Sequence, residues 1–355
     1  MSERKLQSVL EKIYQAPEVT DLEYLLTEKS KEQTKQIMCF ADDIRSMFVG
    51  DGIVLRGIVE FSNYCRNTCA YCGLNKFNTE LPRYRLIKQE VLESVEEIAK
   101  AGIKTVVLQS GEDTDMDSDR LAELIEEIKA RFDMAVTLSV GEYGYDEYRL
   151  WKQAGADRYL LKIETTNPNL YKRMHPGMSL EKRIRCLRSL EMLGFQTGSG
   201  SIVGLKGQSC RDLAEDIMFF KNENFDMLGI GPFIPHPRTP LGSEPVGDLE
   251  LTLRVLAVTR IVTGNTHMPA ATSIGVVGSY EAVRAAFAAG ANVIMLDFTP
   301  PAYKNLYQIY SGRDTDEDSI DLKVEKLKKI IEGLGRYLSF SRADSLKKIC
   351  CRKRH

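Results

Sequence analysis

Short apolar runs recur along the chain, separated by longer stretches of helical periodicity. The runs are IVLRGIVEF (53–61), TVVLQ (105–109), MAVTLSV (134–140), RYLLKIE (158–164), TGSGSIVGL (197–205), MLGIGPF (227–233), MPAATSI (268–274) and NVIMLDF (292–298). Most are continuous, as strands buried on both faces are. Between them, segments such as LIKQEVLESVEEIAKAG, DRLAELIEEIKARF and SLEKRIRCLRSLEMLG predict amphipathic helices. Gly102, Gly155, Gly194 and Gly290 stand where C-terminal caps belong. Strands alternating with helices predict an α/β chain, a (β/α)8 TIM-type barrel. A doubly wound open sheet is the alternative, because alternation is common to both. Periodicity in DLEYLLTEKS and KQIMCFADDIRSMF predicts a short N-terminal helical extension over 1–50. The barrel is then expected over 51–310, and a C-terminal helical segment with a basic tail, KKICCRKRH, over 311–355.

Composition narrows the class. Lys+Arg number 48 against Asp+Glu 50, for a formal net charge of −2. Bulk charge therefore gives no footing for nucleic acid. The 43% hydrophobic content is that of a globular chain with a real core. The start, MSERKLQSVLEKIYQ, lacks the apolar region of a secretion signal. No run approaches the ~20 apolar residues of a membrane span. The expectation is a cytoplasmic protein without membrane or nucleic-acid partners. In a reducing compartment, clustered cysteines read as metal ligands or catalytic groups before disulfides.

In such a barrel the active residues lie at the C-terminal ends of the strands. Those ends carry Glu60, Gln109 through Asp113, Thr137 with Ser139, Lys162 with Glu164, Ser199 with Ser201, Pro232 through Pro237, Thr272 with Ser273, and Asp297. The first strand is followed by YCRNTCAYC (64–72), which holds Cys65, Cys69 and Cys72. A structural zinc site wants four protein ligands, and no fourth Cys or His stands nearby. A cubane iron–sulfur cluster takes one thiolate per iron, so three leave one iron open to something else. Packing cysteines, or a zinc knuckle with a remote ligand, are the plainer alternatives.

The spacing Cys65-x3-Cys69-x2-Cys72, with aromatic Tyr71 before the last cysteine, resembles the signature of radical S-adenosylmethionine (SAM) enzymes. The resemblance implies a 4Fe–4S cluster on the three cysteines, SAM on the open iron, and reductive cleavage to a 5′-deoxyadenosyl radical. It further implies that Ser110, Gly111, Glu112 and Asp113 receive the SAM amino group, that Glu164 contacts its ribose or methionine, and that Arg183 pairs with its carboxylate. Ser139, Ser201 in GSGSIVGL, and Ile230, Pro235 and His236 in GIGPFIPHP complete the SAM side. Taken singly these have plainer readings: acids at a helix start, a solvated arginine, a glycine-rich strand end.

EFSNYCRNTCAYCGL, RYRL (83–86), VLQSGED, GFQTGSGSIVGL and FDMLGIGPFIPHPRTPL together resemble the HydE family of FeFe-hydrogenase maturases, close to biotin synthase and methylornithine synthase. That implies radical addition to a small sulfur-containing, cysteine-derived or iron-bound cysteine substrate, and a flavodoxin- or ferredoxin-like one-electron donor. Substrate contacts then fall to Thr137, Lys162, Thr272 and Tyr303. Departures cluster here: Lys162-Ile163-Glu164 replaces the family's Arg-His-Glu, losing a two-pronged carboxylate contact. Pro269-Ala270-Ala271-Thr272 lacks one family hydroxyl. Residues 300–345 hold no cysteine, so a second cluster is not expected. For Lys162 a bridge to Glu164 competes with substrate binding. Tyr307 is read as packing a closing helix, His175 as solvated, and His236 as structural or adenosine-framing. Cys39, Cys186 and Cys210 read as core or surface thiols, Cys350 and Cys351 as incidental. The rival functions are a methylornithine-synthase-like mutase, a zinc hydrolase disfavoured by only four His, and a non-catalytic iron–sulfur carrier or scaffold.

Overall fold

The computed structural model describes residues 3–312 and 318–347; Cys350, Cys351 and the last residues of the basic tail lie outside them. Parallel strands form one curved sheet: β1 (Gly52–Ser62), β2 (Thr105–Ser110), β3 (Ala135–Ser139), β4 (Arg158–Leu160), β5 (Gln196–Val203), β6 (Met227–Pro232) and β7 (Val293–Asp297). Their order is β6-β5-β4-β3-β2-β1-β7. Nine of the eleven β1 positions are buried, and only its first residue and Phe61 are not, as a strand covered on both faces requires. Helices wrap the outside, and Gly102, Gly155, Gly194 and Gly290 end their helices at φ +74, +106, +80 and +98.

The expected strand over 268–274 is a correction. Only single bridges form there, Met227 to His267 and Pro269 to Val293, and they close the ring between β6 and β7. Pro269 has no N–H for a ladder, and the chain turns helical at Thr272. A short strand that the pattern did not predict, β8 (Tyr337–Ser339), pairs parallel with the start of β1.

Helices Glu3–Gln15, Val19–Leu26 and Lys31–Val49 form the N-terminal extension. Ser30 and Gln33 close a capping box on the third, which packs against helix Leu249–Thr263. At the opposite end of the chain, residues 341–345 cover the N-terminal mouth of the barrel. Buried Arg158 donates to the Arg342 and Ala343 carbonyls at 2.6 and 3.1 Å and to Asp344 Oδ1 at 2.9 Å. Gln196 Nε2 reaches the same carboxylate at 3.0 Å. Among the described residues no helix is long and apolar enough to cross a membrane.

Candidate active site

The cysteine loop is tied down on several sides. Arg66 N donates to Glu112 O at 2.9 Å, Ala70 N to Met174 O at 2.8 Å, and Gly73 N to Ile309 O at 3.1 Å. Thr68 Oγ1 donates to Pro176 O at 2.6 Å. Two glycines permit this crowding: a Cβ on Gly73 would stand 2.1 Å from Gln308 O, and one on Gly111 2.2 Å from Tyr64 O.

All three loop cysteines are free thiols. Burial, and then the neighbouring Cys65 sulfur, push Cys72 up to about 12. Burial raises Cys65, and burial followed by the other two sulfurs raises Cys69 further. Three thiolates therefore cannot coexist here without positive charge between them, which is the condition a multi-iron group meets on binding. Among the described residues no three His, Cys, Asp or Glu converge tightly enough to hold a single metal ion. Three thiols on one short loop are donors of the kind that a group taking one thiolate per iron requires.

Above the loop opens a cavity of about 1050 Å³ at the C-terminal end of the strands. Of the predicted residues, Tyr71, Cys72, Ser110, Ser139, Lys162, Glu164, Arg183 and Thr272 line it. Arg183 is buried there, its Nε donating to Glu142 Oε1 at 2.6 Å and its Nη1 to Lys162 O at 2.5 Å. Lys162 Nζ lies 3.1 Å from Glu164 Oε2, so the bridge weighed for Lys162 is formed. Glu164 sits at φ +64, held by its N–H on Gly200 O at 3.0 Å. A non-glycine residue in this region marks a backbone that its surroundings impose.

The turn behind Glu164 hangs on Asp216. Its Oδ1 accepts from Thr166 N at 2.6 Å and Thr166 Oγ1 at 2.7 Å. Burial raises this carboxyl from 3.8 to about 7. A neutral Asp216 thus contributes stability that is complete below the unfolded value near 4 and lost as pH rises through about 7. The interval corresponds to about 4 kcal/mol, from which a new amide NH2 at the unpartnered Oδ2 position subtracts ~2 kcal/mol. Asp216→Asn is expected to raise stability at pH 8 on the order of 2 kcal/mol and to flatten its pH dependence. Urea unfolding at pH 5 and pH 8 checks this; equal stability of wild type at both pH values would refute it.

Other predicted residues lie elsewhere. Glu112 and Asp113 are engaged by arginines: Arg66 Nη2 reaches Glu112 Oε1 at 2.6 Å, and Arg85 grips Asp113 with Nε at 2.6 Å and Nη2 at 2.7 Å. Glu112 Oε2 also accepts from Glu142 N at 2.8 Å. Gly111 packs on Tyr64 and Cys65. Thr137 and Ser201 are buried, their hydroxyls without a hydrogen-bond partner among the described residues. Ile230 is fully buried between the cavity-lining Gly229 and Gly231. Pro235 is half-buried. Buried His236 sits beneath Gly73, Nδ1 accepting from Arg238 N at 3.2 Å.

Three sequence readings are corrected. Tyr303 does not line the cavity; its hydroxyl donates to Glu90 at 3.1 Å and its ring packs 4.8 Å from Tyr84. Tyr307, read as helix packing, does line it. His175 is not solvated but 1% exposed, with Nε2 3.0 Å from the Tyr71 hydroxyl. Burial, and then the nearby Arg183, lower it to about 3, so it is neutral. Glu142, Arg85 and the lining residues Lys304 and Lys323 were not singled out from the sequence. Lys323 lies in the first turn of helix Ile320–Glu332, which was expected outside the barrel, and nothing in its local pattern points inward.

Parallel strands ringed by helices, with a Cys-x3-Cys-x2-Cys loop after the first strand, define a radical SAM enzyme, and residues 59–220 match the Radical SAM superfamily. Within it the chain belongs to the family of the [FeFe] hydrogenase maturase subunit HydE: it is 46% identical to HydE of Thermotoga maritima over 298 residues, 83% of this chain and 84% of that one. It is 26% identical to 3-methylornithine synthase of Methanosarcina acetivorans over 89% of this chain and 88% of that one. A crystal structure of methylornithine synthase superimposes with TM-score 0.83 at 24% identity, covering 95% of this chain and 98% of that one, which shows a shared fold. Membership implies a 4Fe–4S cluster and SAM.

Proposed function

We propose that Cys65, Cys69 and Cys72 hold the cluster, and that the chain directs radical chemistry at a small sulfur-containing, amino-acid-derived or iron-bound cysteine substrate, in the service of FeFe-hydrogenase maturation. The observation that carries this reading is the joining of a half-buried three-thiol loop to a cavity of about 1050 Å³ through Cys72. When bound, the cluster supplies one electron for reductive cleavage of SAM to methionine and a 5′-deoxyadenosyl radical. The residues of the chain divide the remaining work. Arg183 offers its charge to the SAM carboxylate while Glu142 fixes its plane. Glu164 presents a carboxylate to the ribose or methionine side. Lys162 can turn from Glu164 to a substrate carboxylate as a point charge, without the fork of an arginine. Ile58, Leu160, Phe233 and Leu296 line the same cavity and keep water from a reactive intermediate. An external flavodoxin- or ferredoxin-like protein is the expected electron source.

The test is anaerobic reconstitution with iron and sulfide, reduction in the presence of SAM, and chromatography of the products. 5′-Deoxyadenosine or a sulfur-adenosylated adduct is expected, in amounts that rise with thiazolidine carboxylic acids or an iron-bound cysteine. A protein that takes up a cluster but leaves SAM intact would be a carrier, and this reading would fall.

A further inference from the structure

The segment RYRL (83–86) lies across the cysteine loop, and the roles assigned above leave Arg83 unused. Its guanidinium is half-buried. Nη1 donates to Asn63 O at 2.5 Å and Leu74 O at 2.9 Å; Nη2 donates to Asn75 O at 2.9 Å and Asn78 O at 3.2 Å. Both hydrogens of each terminal nitrogen are thus engaged. The four carbonyls bracket the cysteine triplet, one before Cys65 and three after Cys72. One side chain therefore gathers both ends of the loop. Asn75 and Asn78 tighten the same turn, donating to Cys72 O and Gly73 O at 2.8 Å each.

The charge on Arg83 is placed unusually. Among the described residues no carboxylate pairs with it; the ionisable groups that act on it are Cys65, Cys72 and Tyr64. A partly desolvated cation with only neutral carbonyl partners is costly unless something anionic faces it. Its carbonyl partners Asn63 and Leu74 stand two residues before Cys65 and two after Cys72, so the charge is placed where those two cysteines would become thiolates on binding a cluster. Arg85, two residues on, is by contrast committed to Asp113 and stacks on Tyr64 at 3.7 Å.

We propose that Arg83 is a positioning residue of the cluster site, which staples the cysteine loop through four backbone carbonyls and sets its unpaired positive charge against the Cys65 and Cys72 sulfurs. This rests on the cluster being held by the triplet. Positive charge beside a thiolate-ligated cluster favours its reduced form, and cluster potentials respond to local charge and hydrogen bonding. Arg83 thereby eases delivery of the electron that SAM cleavage needs.

Two variants separate the parts. Arg83→Met removes staple and charge; Arg83→Lys keeps the charge but cannot span four carbonyls. In the metal-free protein, amide hydrogen exchange over 73–78 is expected to quicken at least tenfold in both variants, because the turn opens locally. In the reconstituted protein, a redox titration followed by electron paramagnetic resonance should give a more negative midpoint potential for Arg83→Met and one close to wild type for Arg83→Lys. Unchanged exchange in both variants would overturn the staple, and an unchanged potential in Arg83→Met would overturn the charge effect. If Arg83→Met does not fold, Arg83→Lys decides alone: fast exchange with a wild-type potential supports the proposal, while slow exchange or a shifted potential refutes it. If wild type takes up no four-iron cluster, the assignment of the triplet fails, and the exchange data still judge the staple by itself.

Discussion

Cys69→Ala is expected to abolish both cluster uptake and 5′-deoxyadenosine formation, a loss of more than about a thousandfold, while the metal-free protein stays folded. Cys69 is the middle member of the triplet, and burial with the two other sulfurs raises it well above its ordinary value. Two thiolates cannot hold four irons against competing thiols in solution, since each missing ligand leaves an iron open. The fold does not depend on it in the same way. The loop is anchored by backbone bonds at Arg66, Ala70 and Gly73, and trimming one half-buried sulfur is a modest packing change, about 1 kcal/mol. Iron and sulfide analysis, circular dichroism and product chromatography check all three statements. A variant that keeps four irons and cleaves SAM at the wild-type rate would remove Cys69 from the ligand set.

Arg183→Met should cost about 3–5 kcal/mol of stability, because it leaves Glu142 buried without its main partner. Glu142 is 2% exposed and takes Arg183 Nε at 2.6 Å; its other oxygen is 3.2 Å from Lys182, a half-exposed side chain. The variant is also expected to lose SAM cleavage, as the cavity loses a guanidinium from its lining. A second change separates the effects. Glu142→Met with Arg183→Met removes both charges, and apolar replacement of a whole buried pair is often neutral for stability. The double variant is expected to regain most of the wild-type urea midpoint and still fail to turn over SAM. Recovery of activity along with stability would mean that Arg183 serves only the fold.

Much of this was legible in the chain because buried parallel strands read as short apolar runs. The cysteine spacing stood out for a similar reason: it is local, and a loop of nine residues has few other uses for three thiols. The misreadings concern relations that a one-dimensional pattern does not carry. MPAATSI has the apolarity of a strand, but Pro269 and the helix starting at Thr272 leave it with single bridges. Tyr303 and Tyr307 stand on one short segment, and which of them faces the cavity depends on how that segment is laid over Tyr84. Met174-His175-Pro176-Gly177 looks like an exposed turn, yet docking against the cysteine loop buries the imidazole against Tyr71. The arginines that engage Glu112 and Asp113 lie up to 46 residues away in sequence, so those acids seemed free for a ligand.

The cover over the N-terminal mouth of the barrel has a consequence for biosynthesis. Residues 341–345, which seat Arg158, are made well after the cysteines, on the order of tens of seconds later at usual elongation rates. During that interval the strands can assemble while one end of the barrel is still wet. The docking of Asp344 onto Arg158 is then the step that shuts that end of the barrel.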